Sequence, residues 1–335
     1  DLGAQFVASF YPEALDLVRS LGLGARLVER PQEASVVVGG EAHRVDSIRS
    51  IAGSSMLSVG TRLRLPLLMV PVLAASRHLD PDDLQRAAPL DDERGDEWVR
   101  KWAGDELASN LVEPLIRGLM YWDLATTSRA LVQLLLRVAL QSREVHRIDG
   151  GMSALPRALA DGLDVRLGTR ATGLHPRDDG GWRVELESAS TIDADAVVCA
   201  TTADVAAELC PDATVAEVLR SVSYSRTAGV VVRVPASITT PTSTLLFTRP
   251  AADVVAAVNP TGAVSPDGST LVRIFLSDAG ARRLHDCDDS AVAAEALAAV
   301  ADAGADSAWA TEATPVHVHR WRQALPRFDV GSLRR

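Results

Sequence analysis

Apolar side chains alternate with polar ones along several short stretches between residues 214 and 316, the pattern of strands with one buried face. An alanine-rich amphipathic segment interrupts them and predicts a helix at Ser290–Ala303. Together these features predict a mostly antiparallel sheet covered by one helix. The predicted strands are Thr227–Val234, Ser243–Thr248, Asp253–Val258, Thr270–Ser277 and Thr314–His319.

Residues 41–140 follow a helical period instead. Asp92–Trp102 places Trp98 and Trp102 four residues apart on one face, and Ser128–Leu140 predicts a second, strongly apolar helix. An apolar stripe also recurs every fourth residue from Leu107 to Leu119.

Two further segments of this helical region have their own signals. Asp80 followed by Pro81 is typical of an N-cap with proline in the first turn, which predicts a helix start. Leu63–Ala75 is too short to span a bilayer and contains two prolines, so we expect a core helix there.

Residues 147–203 combine a glycine turn, a helix, a β-meander and a turn of small residues. Alternation predicts a strand at Val165–Thr169, and Asp178–Gly181 predicts a hairpin turn. The continuous apolar run Ala196–Ala200 is typical of a strand buried on both faces. Thr201 and the small residues after it let a ligand or another backbone approach.

This unit resembles the middle of the superfamily of flavin-containing amine oxidases and protoporphyrinogen oxidases, with two departures. Ala171 stands where the family usually has valine, and Thr202 stands where it usually has proline. The start of the chain, with Leu21-Gly22-Leu23 after a helix, and the Arg-Trp and Ala-Leu-Pro motifs near its end also resemble that family. An ordinary αββ element of another α/β domain is the alternative interpretation.

The resemblance implies bound FAD and a set of residues that contact it. Gly3, Ala4 and Gln5 would lie nearest the flavin ring, and Trp321 would cover it from the C-terminal side. The other members of the implied set lie near the adenine and along the dinucleotide: Ala171, Ala200 and Thr201.

A candidate substrate pocket follows from the same resemblance. Arg117, Tyr121 and Trp122 flank Gly118 in the helical region, where they would bind a flat apolar substrate or, alternatively, pack the helical core. Either Arg117 or Arg129 is available to hold a carboxylate at the edge of such a substrate.

The expected fold class is α/β, with α+β character in the substrate part: an incomplete FAD-binding Rossmann-like domain interleaved with two inserts. Residues 1–40, 141–213 and 319–335 would form the FAD-binding pieces, 41–140 a helical substrate-binding insert and 214–318 an antiparallel-sheet substrate domain. The family's GxGxxG motif and its C-terminal flavin segment have no counterpart in the sequence. We therefore expect an internal fragment that binds FAD poorly and is inactive by itself.

Composition narrows the class of partner. A net charge of −10 argues against nucleic acid and disfavours an anionic membrane surface, although some members of the family do associate with membranes. The three cysteines are widely spaced, which favours free thiols in a bacterial cytoplasm. His317 and His319 share one face of a predicted strand, but no third ligand has suitable spacing, so no metal is expected.

These observations lead to one functional hypothesis and two alternatives. The hypothesis is an FAD-dependent, protoporphyrinogen oxidase-like oxidoreductase that dehydrogenates a small hydrophobic substrate by hydride transfer. The alternatives are an amine oxidase or carotenoid desaturase-like flavoenzyme, and a cofactor-less remnant that serves as a binding module. The sequence leaves the oligomeric state open.

Overall fold

The computed structural model describes residues 2–31, 33–141, 144–240, 244–248, 253–258 and 267–334. The chain divides into two compact units. The first comprises Asp1–Leu159 with Ser225–Arg334, and the second comprises Ala160–Tyr224.

The helices and strands are as follows. The α-helices are α1 (Pro12–Ser20), α2 (Ile48–Gly53), α3 (Val59–Ala74), α4 (Gly95–Ala103), α5 (Asp105–Leu107), α6 (Glu113–Met120), α7 (Arg129–Gln141), α8 (Ala154–Ala160), α9 (Ala203–Leu209), α10 (Ala213–Arg220), α11 (Asp278–Arg283) and α12 (Asp289–Asp302). The strands are β1 (Val7–Ala8), β2 (Leu27–Pro31), β3 (Ala34–Val38), β4 (Glu41–Arg44), β5 (Glu144–Ile148), β6 (Ala171–Pro176), β7 (Trp182–Leu186), β8 (Thr191–Ala194), β9 (Thr227–Val234), β10 (Thr244–Phe247), β11 (Val254–Val258), β12 (Thr270–Leu276) and β13 (Thr314–Trp321).

Short helices of other types join these elements. The 3-10 helices are Gly24–Arg26, Ser76–His78, Leu84–Leu90, Ala305–Thr311 and Ser332–Arg334, and the π-helix is Ala108–Val112.

A large mixed sheet organises the first unit, in the order β13-β9-β12-β11-β10-β3-β4. Its neighbouring strands are antiparallel except β10 and β3, which run parallel. One face carries valines and isoleucines such as Val232 and Ile274, which pack against Val292 and Ala296 of α12. A smaller antiparallel sheet of order β1-β5-β2 lies in the same unit.

The sequence pattern predicted most of the large sheet correctly. Strand β9 has the predicted bounds, and β11, β12, β13 and helix α12 differ from theirs by one or two residues. The predicted start of the second strand, Ser243, lies outside the described residues. The parallel addition of β3 and β4 was not predicted.

Helices α3, α4, α6 and α7 share a second core. Trp98 is buried at its centre and Trp102 is half-buried against it, which confirms the predicted common face. Helix α7 also confirms the predicted apolar helix.

The prediction of a helix that starts at Asp80 was wrong. The Asp80 carboxylate instead accepts a hydrogen bond from the backbone N–H of Asp82 at 3.1 Å and pairs with Arg86 at 3.0 Å, which stabilises a turn. The 3-10 helix Leu84–Leu90 that follows contains Pro89, which cannot donate to a helical ladder.

The assignment of Leu63–Ala75 to the core was wrong in part. The segment is helical, within α3, and Leu68 and Val72 are buried. Leu63 and Leu73 on the opposite side are 75% and 65% exposed. The sequence predicted the helix correctly, but it could not show that only one face of the helix contacts the core.

The second unit contains the meander β6-β7-β8 and the helices α9 and α10. The hairpin turn between β6 and β7 is confirmed, with Gly180 and Gly181 both at positive φ, which glycine tolerates. The predicted strands Val165–Thr169 and Ala196–Ala200 were wrong. Both segments are irregular, and Val198 is 91% exposed.

The physical reason for this last error lies in strand pairing. An apolar run becomes a strand only where a neighbouring backbone completes its hydrogen bonds. Among the described residues, neither segment pairs with a neighbouring strand.

A buried carboxylate near the start of α4 makes the stability of the first unit depend on pH. Burial would raise the pKa of Asp96, but hydrogen bonds from Arg94 at 3.0 and 3.1 Å and from Arg100 outweigh it, so the pKa is lowered. A lowered folded-state pKa stabilises the fold above the ordinary value of 3.8, and this contribution is lost as the pH falls through the folded-state value.

We therefore expect Asp96→Asn to lower the free energy of unfolding by about 2 kcal/mol at neutral pH and to flatten its fall below about pH 4. Urea unfolding at a series of pH values measures both. The control is Asp16→Asn, which breaks an exposed ion pair with Arg19 at 2.7 Å and is expected to cost less than about 1 kcal/mol. If the free energy of unfolding of Asp96→Asn fell below pH 4 as steeply as that of the wild type, this role of Asp96 would be contradicted.

Candidate functional site

A cavity of about 420 Å³ lies in the first unit, between the end of α6 and the ends of β9, β11 and β12. Its wall combines aromatic, aliphatic and charged side chains. The lining residues are Arg117, Tyr121, Trp122, Asp123, Ser225, Val255, Ser277, Asp278, Ala279 and Arg327. The structure thus brings together the three residues predicted to bind substrate, Arg117, Tyr121 and Trp122.

Tyr121 ends α6 in the left-handed conformation, with φ of 55°. A non-glycine residue adopts this conformation at a cost, and such residues cluster at functional sites. The ring packs against Phe275 with centroids 5.7 Å apart, and burial raises the pKa of the phenol, which stays neutral at physiological pH. Tyr121 therefore offers an apolar ring and a neutral hydroxyl.

The neighbours of Tyr121 are held by packing. Arg117 is buried on α6, and Trp122 makes an edge-on contact with Phe328 at 5.5 Å between centroids. Gly118 lets α6 approach the sheet, because a Cβ there would overlap Leu246 and lie 3.1 Å from the carbonyl oxygen of Val255.

The sheet face that α6 meets continues as a row of rings. From Tyr121 and Phe275 the row passes to Trp321 at 6.5 Å and then to His319 at 4.3 Å. His317 follows at 6.2 Å, stacked on His319 as expected for two residues on one face of a strand. We call these five residues the ring row.

Gly229 provides the space for the centre of the ring row. A Cβ at this position would lie 3.1 Å from Trp321 and 3.3 Å from Phe275. The small residue on β9 therefore lets two large rings from the flanking strands β12 and β13 converge over it.

Arg273 was missed in the sequence analysis. It lies on β12, two residues before Phe275, so both side chains point to the same face of the sheet. Its Nε is buried without a hydrogen-bond partner, and burial lowers the pKa of its guanidinium, which nonetheless remains charged at neutral pH. The signal that could have identified it is the presence of an arginine inside the apolar run Thr270–Leu276.

A comparison with family models gives one match, to the flavin containing amine oxidoreductases, over residues 1–334. The chain belongs to this family. No curated protein compared with the chain matches it significantly.

Solved structures of the family show the same fold. A protein provisionally assigned as a protoporphyrinogen oxidase, from Exiguobacterium sp. 255-15, aligns with a TM-score of 0.69 at 20% identity, over 98% of this chain and 76% of its own. Putrescine oxidase bound to putrescine aligns with a TM-score of 0.75 at 17% identity, over 99% and 78%. Cyclohexylamine oxidase from Brevibacterium oxydans aligns with a TM-score of 0.69 at 16% identity, over 99% and 77%.

The residues predicted to contact the cofactor fall into two groups, one in each compact unit. In the first unit, Gly3 and Ala4 are exposed, and Gln5 is half-buried with a buried Oε1 that lacks a hydrogen-bond partner. Trp321 ends β13 within the ring row. A Cβ on Gly3 would meet no atom within 4 Å, so the backbone is open on that side.

The remaining predicted contacts lie in the second unit. Ala171 begins β6 and is half-buried, whereas Ala200 and Thr201 lie exposed in the loop before α9. Small exposed side chains at Ala200 and Thr201 leave room for a dinucleotide. The individual contacts stay predictions.

Arg129 does not line the cavity. It makes two hydrogen bonds to the carboxylate of Asp92, at 2.6 and 3.1 Å, and lies 3.8 Å from Glu93. The suggestion that it holds a substrate carboxylate is therefore replaced by a structural ion pair.

Two side-chain groups bear on metal binding. His317 and His319 stack as rings, and Glu29, Glu144 and His146 bring one ligand atom each to within 4.8 Å of one another. The expected absence of a metal stays a prediction. Across the described part of the chain, no helix is both long and apolar enough to cross a bilayer.

Proposed function

We propose that the chain functions as an FAD-dependent, protoporphyrinogen oxidase-like dehydrogenase. Its substrate would be a hydrophobic ring system with a carboxylate at its edge. Family membership supports the flavin oxidoreductase chemistry. The finer assignment depends on the ring row and on the charge beside it.

Within the first unit, the cofactor would be held by Gly3, Ala4, Gln5 and Trp321. When bound, the flavin supplies a hydride acceptor, so the protein needs to orient the substrate and keep water away. Phe275 and Tyr121 provide an apolar wall for this, and the raised pKa of Tyr121 keeps its phenol neutral.

The observation that carries the proposal is Arg273 beside the ring row. Stacked and edge-on rings favour a flat apolar substrate, whose buried area contributes about 25 cal/mol for each Å². Among the described residues, no carboxylate pairs with Arg273, which makes it available to an anionic substrate group. The same charge would repel an ammonium group.

An amine substrate is the second candidate, and the cavity gives it one supporting observation. Asp123 and Asp278 both line the cavity, and carboxylates attract a cation. Asp278 is already engaged, because it accepts hydrogen bonds from the backbone N–H of Arg226 at 2.6 Å and from Arg282 at 2.8 Å. This engagement weakens the case for an amine.

A substrate comparison tests the proposal. Flavin-loaded protein, verified by its absorbance, is given a porphyrinogen dicarboxylate or a primary diamine, and oxygen consumption is followed alongside an artificial electron acceptor. We expect turnover of the porphyrinogen with either acceptor and little with the diamine. Turnover of the diamine alone would favour the amine oxidase alternative, and turnover of neither substrate by the flavin-loaded protein would contradict the proposal.

A further inference from the structure

Asp91 is a buried carboxylate in the first unit, between the 3-10 helix Leu84–Leu90 and helix α4. Its Oδ1 accepts a hydrogen bond from the backbone N–H of Gly331 at 2.9 Å, and its Oδ2 accepts one from the backbone N–H of Leu333 at 2.7 Å. A carboxylate is costly to bury unless hydrogen bonds replace its water. These two bonds therefore make the burial of Asp91 possible, and they join parts of the chain 240 residues apart.

The segment that Asp91 contacts also forms part of the cavity wall. We call residues 327–334 the cavity strap. Arg327 of the strap lines the cavity, and Phe328 packs edge-on against Trp122, which lines it too. The strap therefore brings a cation and an aromatic ring to the site.

The first half of the strap is fixed beside the cavity. The backbone N–H of Ser128 donates to the carbonyl oxygen of Phe328 at 2.8 Å. Nη2 of Arg327 donates to the hydroxyl of Thr126 at 3.0 Å and to the carboxylate of Asp329 at 3.2 Å. Within the described residues, Nε and Nη1 of Arg327 make no hydrogen bond, so both can donate to a ligand in the cavity.

The second half of the strap depends on Asp91. Gly331 turns the chain with φ of 88°, a conformation that favours glycine. After the turn, Leu333 is buried in the helical core, and Arg334 donates to the carbonyl oxygen of Ala88 at 3.1 Å. Apolar packing is not directional, so the two hydrogen bonds to Asp91 determine where this half of the strap lies.

We propose that Asp91 is a positioning residue for substrate binding, which fixes the cavity strap so that Arg327 keeps its place in the cavity wall. The inference rests on the proposed function, because it takes the cavity as the site of an anionic ring substrate. A carboxylate suits this role, since both of its oxygens accept hydrogen bonds. Asparagine would turn an NH₂ donor towards one of the two backbone N–H groups.

The test variant is Asp91→Asn, prepared with flavin bound. Titration with a porphyrin dicarboxylate and steady-state kinetics should show Kd and KM raised about five- to twentyfold, with kcat within about twofold of the wild type, because a binding group is displaced but the reacting groups are not. Hydrogen exchange followed by mass spectrometry should show the amides of the strap exchanging about tenfold faster.

A double-mutant cycle shows whether Asp91 acts through Arg327. Arg327→Gln should itself weaken porphyrin binding. In that background, Asp91→Asn should weaken binding by less than about twofold, because the group that it positions is already absent. A purely structural role would give the same loss in both backgrounds.

Two further variants provide the control and a milder perturbation. Asp212 also accepts hydrogen bonds from two backbone N–H groups, at 2.8 and 3.1 Å, but it lies in the second unit. Asp212→Asn should leave porphyrin affinity within about twofold of the wild type. Arg334 is exposed, so Arg334→Ala loosens the strap without leaving a buried group unpaired. It should raise KM about two- to fivefold, and it decides the matter if Asp91→Asn does not fold.

Three results would overturn the positioning role. They are unchanged exchange of the strap in both Asp91→Asn and Arg334→Ala, unchanged porphyrin affinity in a variant whose strap exchanges faster, and an undiminished effect of Asp91→Asn in the Arg327→Gln background. If the wild type binds no porphyrin, the proposed function fails. Faster exchange of the strap in Asp91→Asn would then still support the part of the inference that concerns the cavity wall.

Discussion

Replacing Arg273 with Met is expected to raise the KM for a carboxylate-bearing ring substrate by roughly 30- to 150-fold, because the substrate loses its charged partner in a buried setting. This range corresponds to about 2 to 3 kcal/mol, the lower part of what truncating one member of a buried charge pair costs. Methionine retains an unbranched apolar stem, so the packing beside Phe275 should survive. The maximal rate should change much less than KM.

Direct binding separates this role from a structural one. The fluorescence of a porphyrin dicarboxylate, titrated with protein, should show the same weakening in Arg273→Met, whereas Arg273→Lys should recover part of the affinity. Arg233→Met is the matched control. That arginine lies two residues beyond Val231 on β9, is exposed, and pairs with Asp267 at 3.1 Å. The affinity of Arg233→Met for the porphyrin should stay within about twofold of the wild-type value.

Two results would count against the assignment of Arg273. If the esterified porphyrin binds the wild type as well as the free acid does, the guanidinium does not recognise the carboxylate. If Arg273→Met binds the acid normally, the anchor lies elsewhere, and Arg117 in the cavity wall becomes the next residue to test.

The sheet could be predicted from sequence because its information is local. In Thr227–Val234 the β-branched residues and the absence of breakers specify a strand, whichever neighbours it has. The register could not be predicted, because it depends on neighbours far apart in the chain. The parallel pairing of β3 with β10, for example, joins residues more than two hundred positions apart.

The errors have a common physical origin, since apolar content does not reveal what covers it. Ala196–Ala200 is apolar, but no strand pairs with it in the described second unit. Helix α3 is apolar, yet one side of it is exposed.

The candidate site was predicted in part. The resemblance of the segment around Gly118 to the family pointed to Arg117, Tyr121 and Trp122, and the structure places all three on one cavity. Arg273 was missed because a charge within a strand acquires meaning only when the facing side chains are known. The residues assigned to the flavin came from resemblance, and their contacts depend mainly on backbone, so their side chains carried little information.

Gly118→Ala is expected to destabilise the first unit by about 1 to 3 kcal/mol, because the added methyl group overpacks the contact between α6 and the sheet. Helix propensity alone favours alanine over glycine by about 1 kcal/mol, so the two effects oppose each other. The clash should win, since the Cβ would overlap Leu246 and press on the carbonyl oxygen of Val255. Urea unfolding followed by circular dichroism measures the net change.

Gly60→Ala provides the matched control, since Gly60 also lies in a helix but a Cβ there would meet no atom within 4 Å. It should raise the free energy of unfolding by up to about 1 kcal/mol, opposite in sign to Gly118→Ala. In a double-mutant cycle, Gly118→Ala combined with Leu246→Ala should cost less than the sum of the two single changes, because removing the Leu246 side chain vacates the space that the new methyl group needs. If Gly118→Ala were as stabilising as Gly60→Ala, α6 would not pack on β10 as described, and the placement of Arg117 and Tyr121 at the cavity would fail with it.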